Sequence, residues 1–450
     1  MSRRPFDGIR VLDSTYVFAL PYAGGLLADL GAEVIKIEGT GHIDVTRGGN
    51  WSGAFPDNTP GEEWWNRSST YNLINRGKRS LTLDLSQPKG RELLKEMVKV
   101  SDVLMENFTP RVMRRWGLDY PNLRQLRPDV IMVSNTGYGH GEGPWSNYPA
   151  QATTQEATHG LCQITGYLGG PPSKAGQSYV DFLATWSAVL GVAAALRHRQ
   201  RTGEGQWIDI GMYQLGCMFV GEVILDYVSN GRVAGRMGNR HPFRAPQGCY
   251  RARGEDEWVT LSVGTDAQWR ALCNLMGRPD LARDERFADP LARHRHHDAL
   301  DEMITTWTCQ YDKYELLHLL QEAGIPAGPV FNARDTHLDP HLQERRFLER
   351  VEYPPERDIG ARYILGRPFR FSGAEVRVRR PAPTLGQDNE TLLVGLLGLD
   401  PEEVRDLEQD GVIGTRPKES RSLPVQPQEE WVRTHRLAVW DMDYKEKLGI

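Results

Sequence analysis

Short apolar runs alternate with helical patterns through the first half of the chain, and this alternation limits the fold more than any other feature. Residues 9–13 (Ile-Arg-Val-Leu-Asp) read as a strand. Pro21 stands where a first helical residue would, 22–30 continue as helix, and Gly31 stops it. Further strands are predicted at 33–37, 80–85, 103–107 and 129–134, with an amphipathic helix at 88–100. Parallel strands need crossover segments, so a βαβα rhythm predicts an α/β chain built on a doubly wound parallel sheet with helices on both faces.

The remainder is less regular. A Trp-rich insertion surrounds Trp51, Trp64 and Trp65, whose expected role is packing at a subunit interface. An irregular stretch, 137–180, precedes an apolar helix beginning at Phe182 and a strand at 207–210. After about residue 225 the pattern changes. A loop rich in Gly, Arg and Pro (235–248) leads to a strand at 258–263, helices through 324, and strands or connectors at 326–330 and 368–371. The predicted organisation is a large domain begun by 1–225, a linker and smaller α+β domain at 226–345, a return to the large domain at 346–415, and a polar tail at 416–450 docked on a partner subunit.

Composition excludes several classes. Hydrophobic residues make up 39% and charged residues 25%, which fits a folded chain with a real core. The net charge of −5 argues against a nucleic-acid partner. The longest uncharged apolar stretch, 182–196, is short of a membrane span and predicts a buried helix. Asp7, Arg10 and Asp13 interrupt any leader-like core, so no export is expected. Cys162, Cys217, Cys249, Cys273 and Cys309 form no CxxC pair, which predicts free thiols and a cytoplasmic setting.

Candidate chemistry is sparse. The turn 15–24 lacks GxGxxG, so Glu38 at the end of the second strand is not expected to hold a dinucleotide ribose. His294, His296 and His297 read as a solvated face and not as metal ligands. His159 and Cys162 lack the rest of a triad. Asp181 stands out because it directly precedes the apolar helix, as an N-cap would. The same place favours a negative charge, and a carboxylate ionised at neutral pH attacks an acyl group without a general base. A thioester is its best electrophile, since thiolate leaves readily.

The chain resembles the class III coenzyme A transferases, which are related to the α-methylacyl-CoA racemases. The motifs are Gly8-Ile-Arg-Val-Leu-Asp13, Leu26 through Glu38, Asp44 with Arg47, Asn75-Arg-Gly-Lys-Arg-Ser80, Leu83-Asp84 and Glu106-Asn-Phe108. They continue with Gly169-Gly-Pro-Pro172, Arg201 through Gln206, Gly238 through Pro242, Ala323 through Val330 and Asp339-Pro-His-Leu342. The resemblance spans roughly 7 to 415. It implies a Rossmann-like large domain, a small domain and an interlocked homodimer, or a heteromer with a related subunit. It also implies an aspartyl nucleophile at Asp181 and CoA contacts from Asn107, Arg115, Leu83, Phe108 and Phe18. A glycine loop near Gly235 and Gly238 would close over the reaction. A CoA thioester is then a substrate, succinyl-CoA the first donor to consider, a carboxylic acid the acceptor, and no metal or tightly bound cofactor takes part.

Some positions depart from the formyl-CoA enzymes of that family. Phe18 replaces a glutamine, Gly39 a CoA-binding arginine and Thr136 a lysine, while Glu156-Ala-Thr-His-Gly160 replaces QAxSG. Phe18 predicts a larger or more apolar acid than formate or oxalate. Three other readings compete. A racemase needs an acid and a base, but Gln151 holds the position of the racemase histidine. A non-catalytic subunit would not need Asp181. A nicotinamide enzyme would need the missing glycine fingerprint.

Overall fold

The computed structural model describes residues 4–48, 54–176, 178–420 and 423–450. Its chain divides into two compact units, one of Met1–His159, Gly176–Gly221 and Pro340–Ile450, the other of Gly160–Ala175 and Glu222–Asp339.

The first unit is built on six parallel strands: β1 (Arg10–Ser14), β2 (Glu33–Glu38), β3 (Arg79–Thr82), β4 (Val103–Glu106), β5 (Ile131–Thr136) and β6 (Trp207–Gly211). Their order across the sheet is β3-β2-β1-β4-β5-β6. Side chains alternate between faces along a strand, so neighbouring apolar residues serve different cores. Leu12, Ile35, Leu81 and Leu104 meet Leu93, Leu94 and Met97 of the helix Pro88–Lys99 and Leu392 and Leu393 of the helix Asn389–Leu397. Val11, Val34, Val103 and Ile131 meet Leu20, Ala23 and Leu27 of the helix Ala19–Asp29 and Ala184, Ala188 and Val192 of the helix Tyr179–Thr202. The parallel sheet with helices on both faces is thus as the sequence predicts.

Several details differ from expectation. The first helix begins at Ala19, so Pro21 is its third residue and not its first. The first turn has no intrahelical use for its amides, so a proline is tolerated throughout it. The long helix begins at Tyr179 behind Ser178, which makes Asp181 a first-turn residue and not the N-cap. That helix is not wholly buried. Val180, Ala184, Ala188, Val192 and Ala195 face the core, while Leu190 is 71% exposed. Among the described helices it alone is long and apolar enough to cross a membrane by length and composition. Trp64 and Trp65 are buried inside their own chain with Leu385, Phe55 and Ile43, which corrects the interface role. Trp51 lies outside the described residues. The tail 416–450 belongs to the first unit, where the Tyr444 hydroxyl and Lys445 ammonium both reach Asp57.

The second unit carries an antiparallel sheet of Gln247–Arg251, Trp258–Ser262 and Ala327–Pro329. Helices Asp266–Leu275, His297–Thr308 and Lys313–Glu322 cover it through Trp269, Leu272, Leu300, Ile304, Leu316 and Leu320. His297 is buried here, with its Nε2 3.2 Å from the Gln247 amide, so it is not part of a solvated face.

Candidate active site

Sheet order reverses at β1 and β4, and a doubly wound sheet opens a crevice beyond the strand ends at that point. The turn leaving β1 enters this crevice and is held from three directions. The Asn107 side chain accepts the Tyr16 amide proton at 2.9 Å and donates to the Tyr16 carbonyl at 2.7 Å. Asp44 accepts from the Val17 amide at 3.2 Å and pairs with Lys36 at 3.0 Å. The Lys36 ammonium also donates to the Thr15 carbonyl. Val17 has φ of 72°, a left-handed conformation that a β-branched residue adopts only when its surroundings impose it.

This strained turn touches two features at once. Tyr16 lines a cavity of about 560 Å³ together with Gly39, Leu83, Phe108, Trp116 and Lys418. Phe108 packs between Tyr16 and Trp116 with ring centroids 5.7 and 5.5 Å away. Two residues further on, Phe18 meets Phe182 edge-on at 5.2 Å and Tyr22 at 5.9 Å. Phe182 is the neighbour of Asp181 in the long helix.

Asp181 is half-buried in the first turn of that helix, where backbone dipoles favour a carboxylate. The Thr185 hydroxyl links the Asp181 carbonyl (2.9 Å) to the Ala19 carbonyl (2.7 Å), tying the two helix starts together. The buried Glu156 accepts the Tyr179 amide proton at 2.9 Å and so caps the helix from a distance in sequence.

A second cavity of about 470 Å³ lies along the helix Pro110–Trp116 and is lined by Arg111, Arg114, Arg115, His140, Trp207 and Asp209. His140 Nδ1 is 2.9 Å from the Asp209 carboxylate. Three guanidinium groups on one short helix make this cavity suited to anions.

The expected site residues therefore fall in distinct places. Leu83 and Phe108 share the first cavity, Arg115 lines the second, and Asn107 uses its amide on the Tyr16 backbone. Phe18 lies against the residue next to Asp181. Gly235 and Gly238 belong to the second unit, where the Gly238 amide donates to the Gly166 carbonyl at 2.9 Å. Glu38 is buried and bound by Arg47 at 2.7 and 2.9 Å, so its carboxylate is not open to a ribose. Among the described residues no cluster of His, Cys, Asp or Glu is placed to hold a metal ion.

Sequence reasoning missed Trp116, His140 and Lys418, which are separated in sequence from the motifs they join. Glu106 stands in a motif read from the sequence, but nothing there marks it as a buried acid. Burial pushes the Glu106 carboxyl up to about 7, outweighing the Ser134 hydroxyl and the Phe108 amide that favour its charged form. The unfolded chain loses this proton near the ordinary value of 4.5. Stability contributed by Glu106 is therefore full below pH 4.5 and falls as pH rises through 7, by on the order of 3 kcal/mol. Glu106→Gln should gain on the wild type by roughly 2 kcal/mol between pH 5 and pH 8 in paired unfolding curves. A difference that does not change with pH would contradict this.

The model of CoA-transferase family III matches residues 6–389. The chain is 34% identical to the succinyl-CoA–D-citramalate CoA-transferase of Chloroflexus aurantiacus over 91% of its own length and 98% of that protein's. It is 35% identical to the succinate–glutarate CoA-transferase of Agrobacterium fabrum, over 87% and 96% of the two chains. A CAIB/BAIF family protein from Brucella suis superposes with a TM-score of 0.78 at 32% identity, covering 88% of this chain and all of that one. With this agreement in sequence and fold, the chain belongs to CoA-transferase family III.

Proposed function

We propose that this chain moves coenzyme A from succinyl-CoA to a second carboxylic acid through covalent intermediates on Asp181. The observation that carries this reading is Asp181 in the first turn of the long helix, followed in the chain by Phe182, which packs with Phe18 and Tyr22. An Asp181 oxygen attacks the thioester carbonyl, the C–S bond breaks, and CoA leaves as thiolate. The thiolate attacks the aspartyl carbonyl of the resulting anhydride and releases succinate. The acceptor carboxylate then attacks the aspartyl thioester and displaces thiolate. Finally the thiolate takes the acceptor's acyl group and restores Asp181. Each step exchanges one activated acyl bond for another, so no ATP is required. Positive backbone charge at the helix start stabilises Asp181 as carboxylate between turnovers.

The relatives named for succinyl-CoA and succinate support the donor. The racemase reading is weaker, because Gln151 is exposed at the start of the helix Ala152–Thr158 and offers no base. The same reading takes the working form as two subunits, homodimeric or with a related chain. Exposed Leu190, Met218 and Phe219 on the first unit support an apolar face for that partner.

The test mixes enzyme, succinyl-CoA and a panel of dicarboxylic and hydroxy acids without ATP. A new CoA thioester appearing in step with free succinate is expected. Exchange of the α-proton with deuterated water, and no new thioester, would overturn the proposal. The aromatic cluster also sets the acid. Phe18→Gln should shift kcat/KM by about tenfold or more toward small polar acids such as oxalate, since a hydrogen-bonding group there would pair with their carboxylates. An unchanged ranking of acids would remove Phe18 from the residues that set specificity.

A further inference from the structure

We infer that Lys418, supplied by the C-terminal segment, binds the 3′-phosphate of the CoA nucleotide and so distinguishes CoA thioesters from dephospho-CoA thioesters. This rests on the reading that the 560 Å³ cavity takes the nucleotide end of CoA. The cavity has the chemistry of an adenosine phosphate site. Tyr16, Phe108, Trp116 and Leu83 give it flat apolar walls for a base. Gly39 and Gly41 leave its rim beyond β2 without side chains. Among the described lining residues, Lys418 is the one permanent cation.

Lys418 is also held in place rather than trailing. Its amide donates to the Thr40 carbonyl at 2.9 Å, and the chain leading to it is bound to the sheet. The Asp84 amide donates to the Val412 carbonyl, the Gly414 amide donates to the Thr82 hydroxyl, and Val412 and Ile413 are buried. The Lys418 ammonium touches Asp84 at 2.9 Å while its side chain stays 47% exposed. That contact uses one of three ammonium protons and aims the group at the cavity, with the others available to a phosphate. Asp84 is anchored in turn by the Ser86 hydroxyl at 2.6 Å and by its amide at 3.1 Å, so it orients the lysine without swinging toward the ligand. The residue lies beyond 6–389, the span matched by the family model.

The experiment compares succinyl-CoA with succinyl-dephospho-CoA for the wild type, Lys418→Ala and Lys418→Arg. A charged hydrogen bond at a half-exposed site predicts a wild-type preference for succinyl-CoA of about 5- to 10-fold in kcat/KM, expressed in KM. Lys418→Ala should bring the two thioesters within about twofold at unchanged kcat, and Lys418→Arg should retain the preference. An alanine variant that keeps the preference, or that weakens both thioesters equally, overturns the inference and assigns Lys418 to anchoring the segment alone. Titration calorimetry with CoA and dephospho-CoA separates this from failure of the transferase reading. Binding with the same Lys418-dependent discrimination, but no turnover, would sustain the phosphate contact while the transfer proposal falls. Absence of binding by either nucleotide would overturn the inference.

Discussion

Replacing Asp181 with asparagine should leave the fold in place and lower CoA transfer by at least about a thousandfold, because an amide of the same size cannot form the acyl intermediates. The long helix does not depend on this carboxylate for its start. Glu156 caps it at Tyr179, and the Thr185 hydroxyl joins it to the first helix through the Ala19 carbonyl. Loss of a favourable charge in the first turn costs about 0.3–1 kcal/mol, which a melting curve would register as a small shift. Binding of CoA should persist, since the cavities at the strand ends do not include Asp181. Activity above a tenth of the wild type, with a normal melting curve, would exclude Asp181 as the nucleophile.

The largest expected effect on stability lies at Arg47. Its guanidinium is fully buried and meets Glu38 at 2.7 and 2.9 Å, the Trp65 carbonyl at 3.0 Å, Asn66 at 3.1 Å and the Tyr71 hydroxyl at 2.6 Å. Arg47→Met keeps much of the volume but strands the Glu38 carboxylate inside the protein, a loss of about 3–5 kcal/mol. A protein of this size should then melt about 3–5 °C lower at pH 7. The pH dependence identifies the cause. Burial alone would raise the Glu38 carboxyl, but Arg47 outweighs it and holds the value down to about 2, against an ordinary 4.5. In the wild type this stabilisation is complete above pH 4.5 and is lost as pH falls toward 2. Without Arg47 the buried carboxyl takes up a proton more readily than in the unfolded chain, so acid favours the variant. The gap between the two proteins should narrow from pH 7 to pH 4, and adding Glu38→Gln to the variant should recover part of the loss. A gap that stays constant with pH would mean that the damage is a packing defect.

Both residues could be named from the sequence, but their surroundings were legible to different degrees. The strands could be read because parallel strands buried on both faces are continuous apolar runs, as in Val103–Glu106 and Ile131–Thr136. Helix starts were less certain. Pro21 fits any of the first three positions, and Asp181 supports a helix start from within the first turn as well as from the cap. Local pattern said nothing of contacts made across the chain. Lys418 meets Asp84 across 334 positions, and the helix Asn389–Leu397 supplies Leu392 and Leu393 to a core begun by β1. Trp64 and Trp65 could have packed on a partner or on Leu385, and only the fold distinguishes the two. The strain at Val17 has no local signature at all, because the neighbours that impose it, Asp44 and Asn107, come from later in the chain.

Covalent trapping at Asp181 tests the central claim most directly. The intact protein is incubated with succinyl-CoA alone, quenched with hydroxylamine, digested, and examined by mass spectrometry for the peptide that contains Asp181. The account predicts a hydroxamate on Asp181 that requires the thioester and is absent from Asp181→Asn. Transfer of CoA to an acceptor acid in the same preparation, with Asp181 unmodified and the hydroxamate on another residue, would contradict it.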